Sequence, residues 1–214
     1  MMTAIPFSRF FQTVLVLVVL SVSLPLHAQE EDVAGTVVRL QGNAVAMQDA
    51  LPRILKVGDK ILRGDVISTG KGGRLEMQML DDAVMTLGEK TIFVVTDYIA
   101  SGPEPLASFR LMQGAFKAVS GKIAGSRKDA FIVATEVATI GIRGTTFWGG
   151  SLDGDFEVAL LDGKGVYVET KAGRVDLTIV GQGTKIKSRN ASPSKAVIWP
   201  DKKTQRAIAT VSFD

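Results

Sequence analysis

Two serines are each followed three positions later by a lysine, in Ser68-Thr69-Gly70-Lys71 and Ser192-Pro193-Ser194-Lys195. On a helical turn that spacing sets the amine beside the hydroxyl and makes the serine a nucleophile. Neither pair sits in a helical pattern: the first ends a β-type run at a glycine turn, the second lies in a proline-containing linker, and no Ser-Asp-Asn or Lys-Thr-Gly partner accompanies them. A chance match is the reading, with an envelope hydrolase built on a Ser/Lys dyad as the enzymatic alternative. Gly64 to Lys71 fails as a phosphate loop, since Asp65 stands where that pattern needs glycine and Gly72 where it needs Ser or Thr for magnesium. Asp81-Asp82 and Asp162 lie at turns without the spacing of a calcium loop. Met77, Met79 and Met85 fall at strand spacing, which suits a core stripe better than a soft-metal site. No catalytic residue, metal ligand or cofactor is expected.

The most unusual chemistry lies in Ala138-Thr139-Ile140-Gly141-Ile142-Arg143-Gly144-Thr145, where a guanidinium interrupts a strand-like run. Five fixed donors between two glycines suit three uses: an internal brace bound by carbonyls or a carboxylate, an anion cradle, or a solvated arginine. The brace is favoured, with the glycines admitting a bulge or positive φ, and Gly141, Arg143, Gly144 and Thr145 form the structural motif. Phe147 and Trp148 follow and, on a regular strand, face opposite ways. One is expected in the core, and Trp148 either offers a partner-binding surface or is covered by the C-terminal tail.

That tail, from Lys185 to Asp214, holds seven basic residues against Asp201 and Asp214. It reads as a solvated basic face, with Lys202, Lys203 and Arg206 as candidate contacts to an anionic membrane or cell-wall surface. The chain as a whole, with 25 Lys and Arg against 22 Asp and Glu, is too balanced to predict nucleic acid as a partner.

Arg9 precedes an apolar run from Phe10 to Leu26, and Pro25-Leu26-His27-Ala28 follows the layout of a secretory signal cleaved between Ala28 and Gln29. The run is short for a membrane span, so an uncleaved inner-membrane anchor is the alternative to a periplasmic or secreted protein. Cleavage removes His27, the single histidine, and the chain has no cysteine. The commonest general base, metal ligands and soft nucleophile are then missing, no lipid can be attached at a cysteine, and no disulfide contributes to stability.

From Val33 onward apolar residues alternate with polar ones over short runs. Arg74 to Met79, Phe156 to Leu160 and Val175 to Ile179 each place one face in a core and one in water. Turn signals such as Gly42-Asn43, Lys71-Gly72-Gly73, Asp153-Gly154 and Asp162-Gly163 separate the runs. The prediction is all-β: a compact β-roll or short β-solenoid of many short strands, with a β-sandwich as the alternative. Residues 1–28 are assigned to the signal, 29–187 to one β domain and 188–214 to a basic extension. Within that extension, Ala196 to Trp199 is expected to form a last strand and Asp201 to Thr210 a short helix capped by Asp201.

Three stretches in order resemble the FecR-type periplasmic domain: Leu55 to Gly70 with its Gly58-Asp59 and Gly64-Asp65 doublets, Arg74 to Gly88 with Asp81-Asp82, and Thr135 to Phe147. The resemblance implies a non-catalytic sensing or scaffolding module that recognises an envelope protein or polymer. Founding members carry a cytoplasmic segment regulating a sigma factor. Here nine residues precede the apolar run, so a stand-alone domain is expected, with membership of an iron-uptake-type signalling system as an alternative.

Overall fold

The computed structural model describes residues 32–127, 129–142 and 144–214. Among them, β1 (Val33–Gln41), β2 (Ala44–Gln48), β3 (Leu51–Ile54), β4 (Lys60–Leu62), β5 (Val66–Thr69) and β6 (Arg74–Met79) open the chain. There follow β7 (Val84–Leu87), β8 (Ile92–Ile99), β9 (Leu106–Gln113), β10 (Phe116–Val119), β11 (Phe131–Ala134) and β12 (Thr139–Ile142). Then come β13 (Thr145–Ser151), β14 (Phe156–Gly163), β15 (Val166–Thr170), β16 (Gly173–Leu177), β17 (Gln182–Ile186), β18 (Val197–Ile198) and the helix α1 (Asp201–Ala209).

The strands form two nine-stranded sheets. Sheet A runs β18-β17-β14-β13-β10-β7-β6-β1-β4 and sheet B runs β16-β15-β12-β11-β9-β8-β5-β2-β3. The chain alternates between them, mostly a hairpin at a time, and advances along both together. Neighbours are antiparallel except β9 and β11, which pair in parallel because the chain crosses through β10 in sheet A and a 3-10 turn at Ile123–Gly125 before returning. The fold is all-β, as expected. Its two sheets pack face to face and do not close into a barrel, which suits the sandwich alternative.

Alternation explains the core. On β6, Leu75, Met77 and Met79 are buried while Gln78 is exposed. Phe93, Phe109 and Phe131 from sheet B meet Phe116 and Phe147 from sheet A, with ring centroids 5.3–5.8 Å apart along the series. Fully burying each such side chain contributes about 1.5–3 kcal/mol. The acidic residues of the motif stretches fasten loops. Asp65 is fully buried, takes Arg53 through both oxygens at 2.7 and 2.6 Å and accepts the Leu62 amide. Asp81 accepts the Tyr98 hydroxyl at 2.6 Å and the Ile123 amide at 3.1 Å.

Residues 188–214 are integrated with the β domain. β18 extends sheet A, and α1 lies on that sheet's outer face over a second apolar cluster of Ala115, Trp148, Ala159, Trp199, Ala207 and Val211. The helix is capped backbone-first at Pro200; Asp201 sits in its first turn and makes no side-chain cap. Gly183 leaves the space in which the Trp199 indole lies, since a Cβ there would stand 2.2 Å from the ring. Beyond the helix, Arg39 stacks on Phe213 and Gln41 exchanges hydrogen bonds with Asp214.

This cover decides between the two alternatives for Trp148, in favour of the tail, and corrects one surface reading. Trp148 is 0% exposed: it does face away from Phe147, but α1 sits over it and Thr210 accepts its indole N–H at 3.0 Å. Glu157, on the face expected to meet water, is equally buried and takes the Lys203 ammonium at 2.7 Å.

Candidate functional site

With sheet A covered around Trp148 by α1, the outer face of sheet B is the contrast. Register places Arg110, Ala134, Thr139, Glu169 and Arg174 abreast across β9, β11, β12, β15 and β16. The neighbouring row is Ser108, Ile132, Gly141, Tyr167 and Asp176. Small residues at the centre of both rows leave a shallow trough whose walls are long side chains.

Tyr167 stands in that trough. Its ring lies directly on Gly141, where an added Cβ would be 2.1 Å from two ring atoms, and the Arg174 guanidinium covers it at 4.0 Å from the centroid. Its hydroxyl donates to Asp129 at 2.5 Å, and Arg174 is itself held by Asp176. Burial first, and then the hydrogen bond to Asp129 and its negative charge, raise the phenol well above its usual range. The Asp176 hydrogen bond likewise raises Arg174. The tyrosine is therefore a neutral, fixed post rather than a proton donor at neutral pH.

Two cavities open on this face. One, of 440 Å³, lies beside Tyr167 between the 3-10 turn, Gly141 and Lys164 to Val166, with Arg127 and Lys164 on its rim. The other, of 460 Å³, lies one row further along, among Arg110, Thr139, Glu169, Lys171 and Arg189. Arg127, Lys164, Arg110 and Lys171 form no ion pair among the described residues. A further cavity of 560 Å³ on the flank near Gly114 and Thr210 mixes both signs, with Arg74, Lys187, Glu89, Glu136 and Asp155.

The residues singled out in the sequence fare unequally. Gly141 makes room for the Tyr167 ring. Gly144 has φ +63°, as a turn at that point requires. Thr145 is buried and joins three segments: its amide donates to Ser120 Oγ at 2.7 Å, its hydroxyl donates to the Gly165 carbonyl at 2.8 Å, and it accepts the Gly165 amide. The brace expected of Arg143 lies outside the described residues, as do Ala28 and Gln29. Lys202 is exposed, but Lys203 is paired with Glu157 and lies 4.3 Å over Trp199, and Arg206 holds Asp153 at 2.7 Å. Two of the three expected tail contacts are thus spent within the fold. Ser68 lies on β5 ahead of the Lys71 turn, and Ser192 donates to the Ala172 carbonyl. Among the described residues no group of three His, Cys, Asp or Glu side chains is placed to hold a metal, and no helix is long and apolar enough to cross a membrane.

Residues 65–164 match the family model described as FecR protein. Over that stretch the chain is similar to the FecR family. The match begins at Asp65 and ends at Lys164, so it includes β9, β11 and β12 of the trough but stops before Tyr167 and Arg174 on β15 and β16. No curated protein matches the chain. Two crystal structures of a candidate anti-sigma factor from Parabacteroides distasonis are similar, each with a TM-score of 0.50 and 17% identity over 64% of this chain. The chain spans 61% of the length of those structures, and the likeness is one of fold.

Proposed function

We infer that the protein is a non-catalytic sensing or scaffolding module of the bacterial envelope, exported by its N-terminal signal, which receives an envelope protein or polymer on the outer face of sheet B. One observation carries this reading: the chain's own C-terminal segment covers the Trp148 region of sheet A, while the outer face of sheet B keeps two cavities rimmed by unpaired cations. Small residues at a trough centre, walled by arginine, lysine and tyrosine, fit recognition; the FecR match supports sensing. The surface of action is therefore moved from Trp148 and the basic tail to sheet B.

The test is capture from an envelope extract by the exported full chain, compared with Ala134→Trp, which fills the trough between β9 and β12. Loss of the captured species in the variant, with an unchanged melting temperature, supports the reading. An identical set of captured species with both proteins overturns it. N-terminal sequencing of the exported protein checks the address: a start at Gln29 is expected, and retention of residues 1–28 would make the inner-membrane anchor correct.

A further inference from the structure

Resting on the assignment of the sheet B face as the recognition surface, we propose that the two cavities are successive subsites for one acidic polysaccharide chain lying along β15. The proposal joins geometry to charge. Lys164 and Lys171 bracket β15, and seven residues of extended chain separate them by about 20 Å, the reach of several sugar units. Arg127 stands with Lys164 at the first cavity and Arg110 with Lys171 at the second, and none of the four has an ion-pair partner among the described residues. The cationic charge of the trough thus sits in two clusters, separated by the Tyr167 post, and suits a ligand whose anionic groups are spaced rather than continuous.

What lies between the clusters selects against a peptide. β11, β12 and β15 are hydrogen-bonded on both sides within sheet B, so an added strand has no place between the clusters and could pair on this side only at the edge strand β16. The floor offers Ala134, Thr139 and Gly141 where a protein partner would need a deep apolar pocket for an anchor. Instead it presents hydroxyl and carboxylate oxygens, with Glu169 and Asp129 on the two sides. Those carboxylates accept hydrogen bonds from sugar hydroxyls and repel a ligand carrying a charge at every residue.

The test uses the exported full chain in affinity electrophoresis through gels containing hyaluronate, which carries its carboxylate on every second sugar, neutral dextran or poly-L-glutamate. Hyaluronate should retard the protein while dextran does not, and poly-L-glutamate, charged at every residue, should act at least tenfold more weakly. Arg127→Gln/Lys164→Gln and Arg110→Gln/Lys171→Gln should each weaken retardation by about tenfold, from two lost charge-assisted contacts apiece. Both should melt with the wild-type protein, because these side chains hold nothing in the fold. Retardation equal in poly-L-glutamate, retardation in dextran, or double variants that bind like wild type would each overturn the proposal. Absence of hyaluronate binding alongside envelope capture that Ala134→Trp still abolishes would sink the glycan assignment alone and leave the sheet B surface standing.

Discussion

Gly141→Ala is the sharpest probe of the trough, because a single methyl group is asked to occupy the volume of a tyrosine ring. The added Cβ would lie 2.1 Å from Cε1 and Cζ of Tyr167 and 2.3 Å from its oxygen, so the ring has to leave. Its departure forfeits the hydrogen bond to Asp129, worth about 1.5–3 kcal/mol for a charged acceptor, and the Arg174 stacking, about 0.5–1 kcal/mol at an exposed site. Alanine recovers about 0.5–1 kcal/mol relative to glycine in a strand. The net cost is about 2 kcal/mol, a fall in Tm of about 4–8 °C for a domain of this size. Chemical denaturation of four proteins closes the cycle: wild type, Gly141→Ala, Tyr167→Ala and the double variant. In the Tyr167→Ala background the glycine change should cost nothing or stabilise slightly, giving a coupling of about 2–3 kcal/mol. An equal cost in both backgrounds would show that Gly141 is required for some reason other than the ring, and no cost with Tyr167 present would refute the contact itself.

Both tyrosines of the chain, Tyr98 and Tyr167, have phenols raised above the ordinary value of 10.0, in each case by burial first and then by an aspartate. Because the folded state holds these protons more tightly than the unfolded one, the stabilisation is complete below pH 10 and is lost as pH rises above it. Tyrosinate absorbance should therefore appear only as the protein unfolds in strong alkali; a normal titration near pH 10 would contradict the burial of both groups. Asp153 is lowered from 3.8 by its hydrogen bond to Arg206, so that contact is present above the ordinary carboxylate range and is lost in more acid solution; Asp153→Asn should remove the acid-dependent part of α1 docking, read by Trp fluorescence. Lys203→Met leaves Glu157 buried without its closest partner and should destabilise by about 3 kcal/mol, with Glu157→Leu restoring stability in the double variant under urea denaturation. Trp148→Ala should cost about 3–5 kcal/mol in the same assay, the penalty of a core site and one an exposed contact residue would not show.

Strand existence was legible wherever alternation was strict, as in Arg74 to Met79, because period-two patterning reports directly on a half-buried sheet. The last strand and the helix after it were also readable, since Asp201 to Thr210 follows a proline and carries helix formers. Phe156 to Leu160 shows where the pattern stops informing. Its alternation correctly assigns Glu157 to the face opposite Val158, yet whether that face meets water depends on α1, more than forty residues later. The same blindness hid the trough: Arg110, Thr139, Tyr167 and Arg174 are spread over four strands, and only cross-strand register sets them side by side.

Composition and period-two patterning alone thus determined an all-β chain without cysteine, while the doubled Gly-Asp turns and the Ala138 to Thr145 run carry a resemblance to the FecR domain. These are local properties, set by backbone conformation and by which face of each strand is apolar. Which face of which sheet stays open, that Trp148 lies under α1, and that Gly141 seats a ring from β15 were decided by tertiary structure. Each depends on the meeting of segments far apart in the chain, and a strand's own residues specify its two faces but not what comes to cover them.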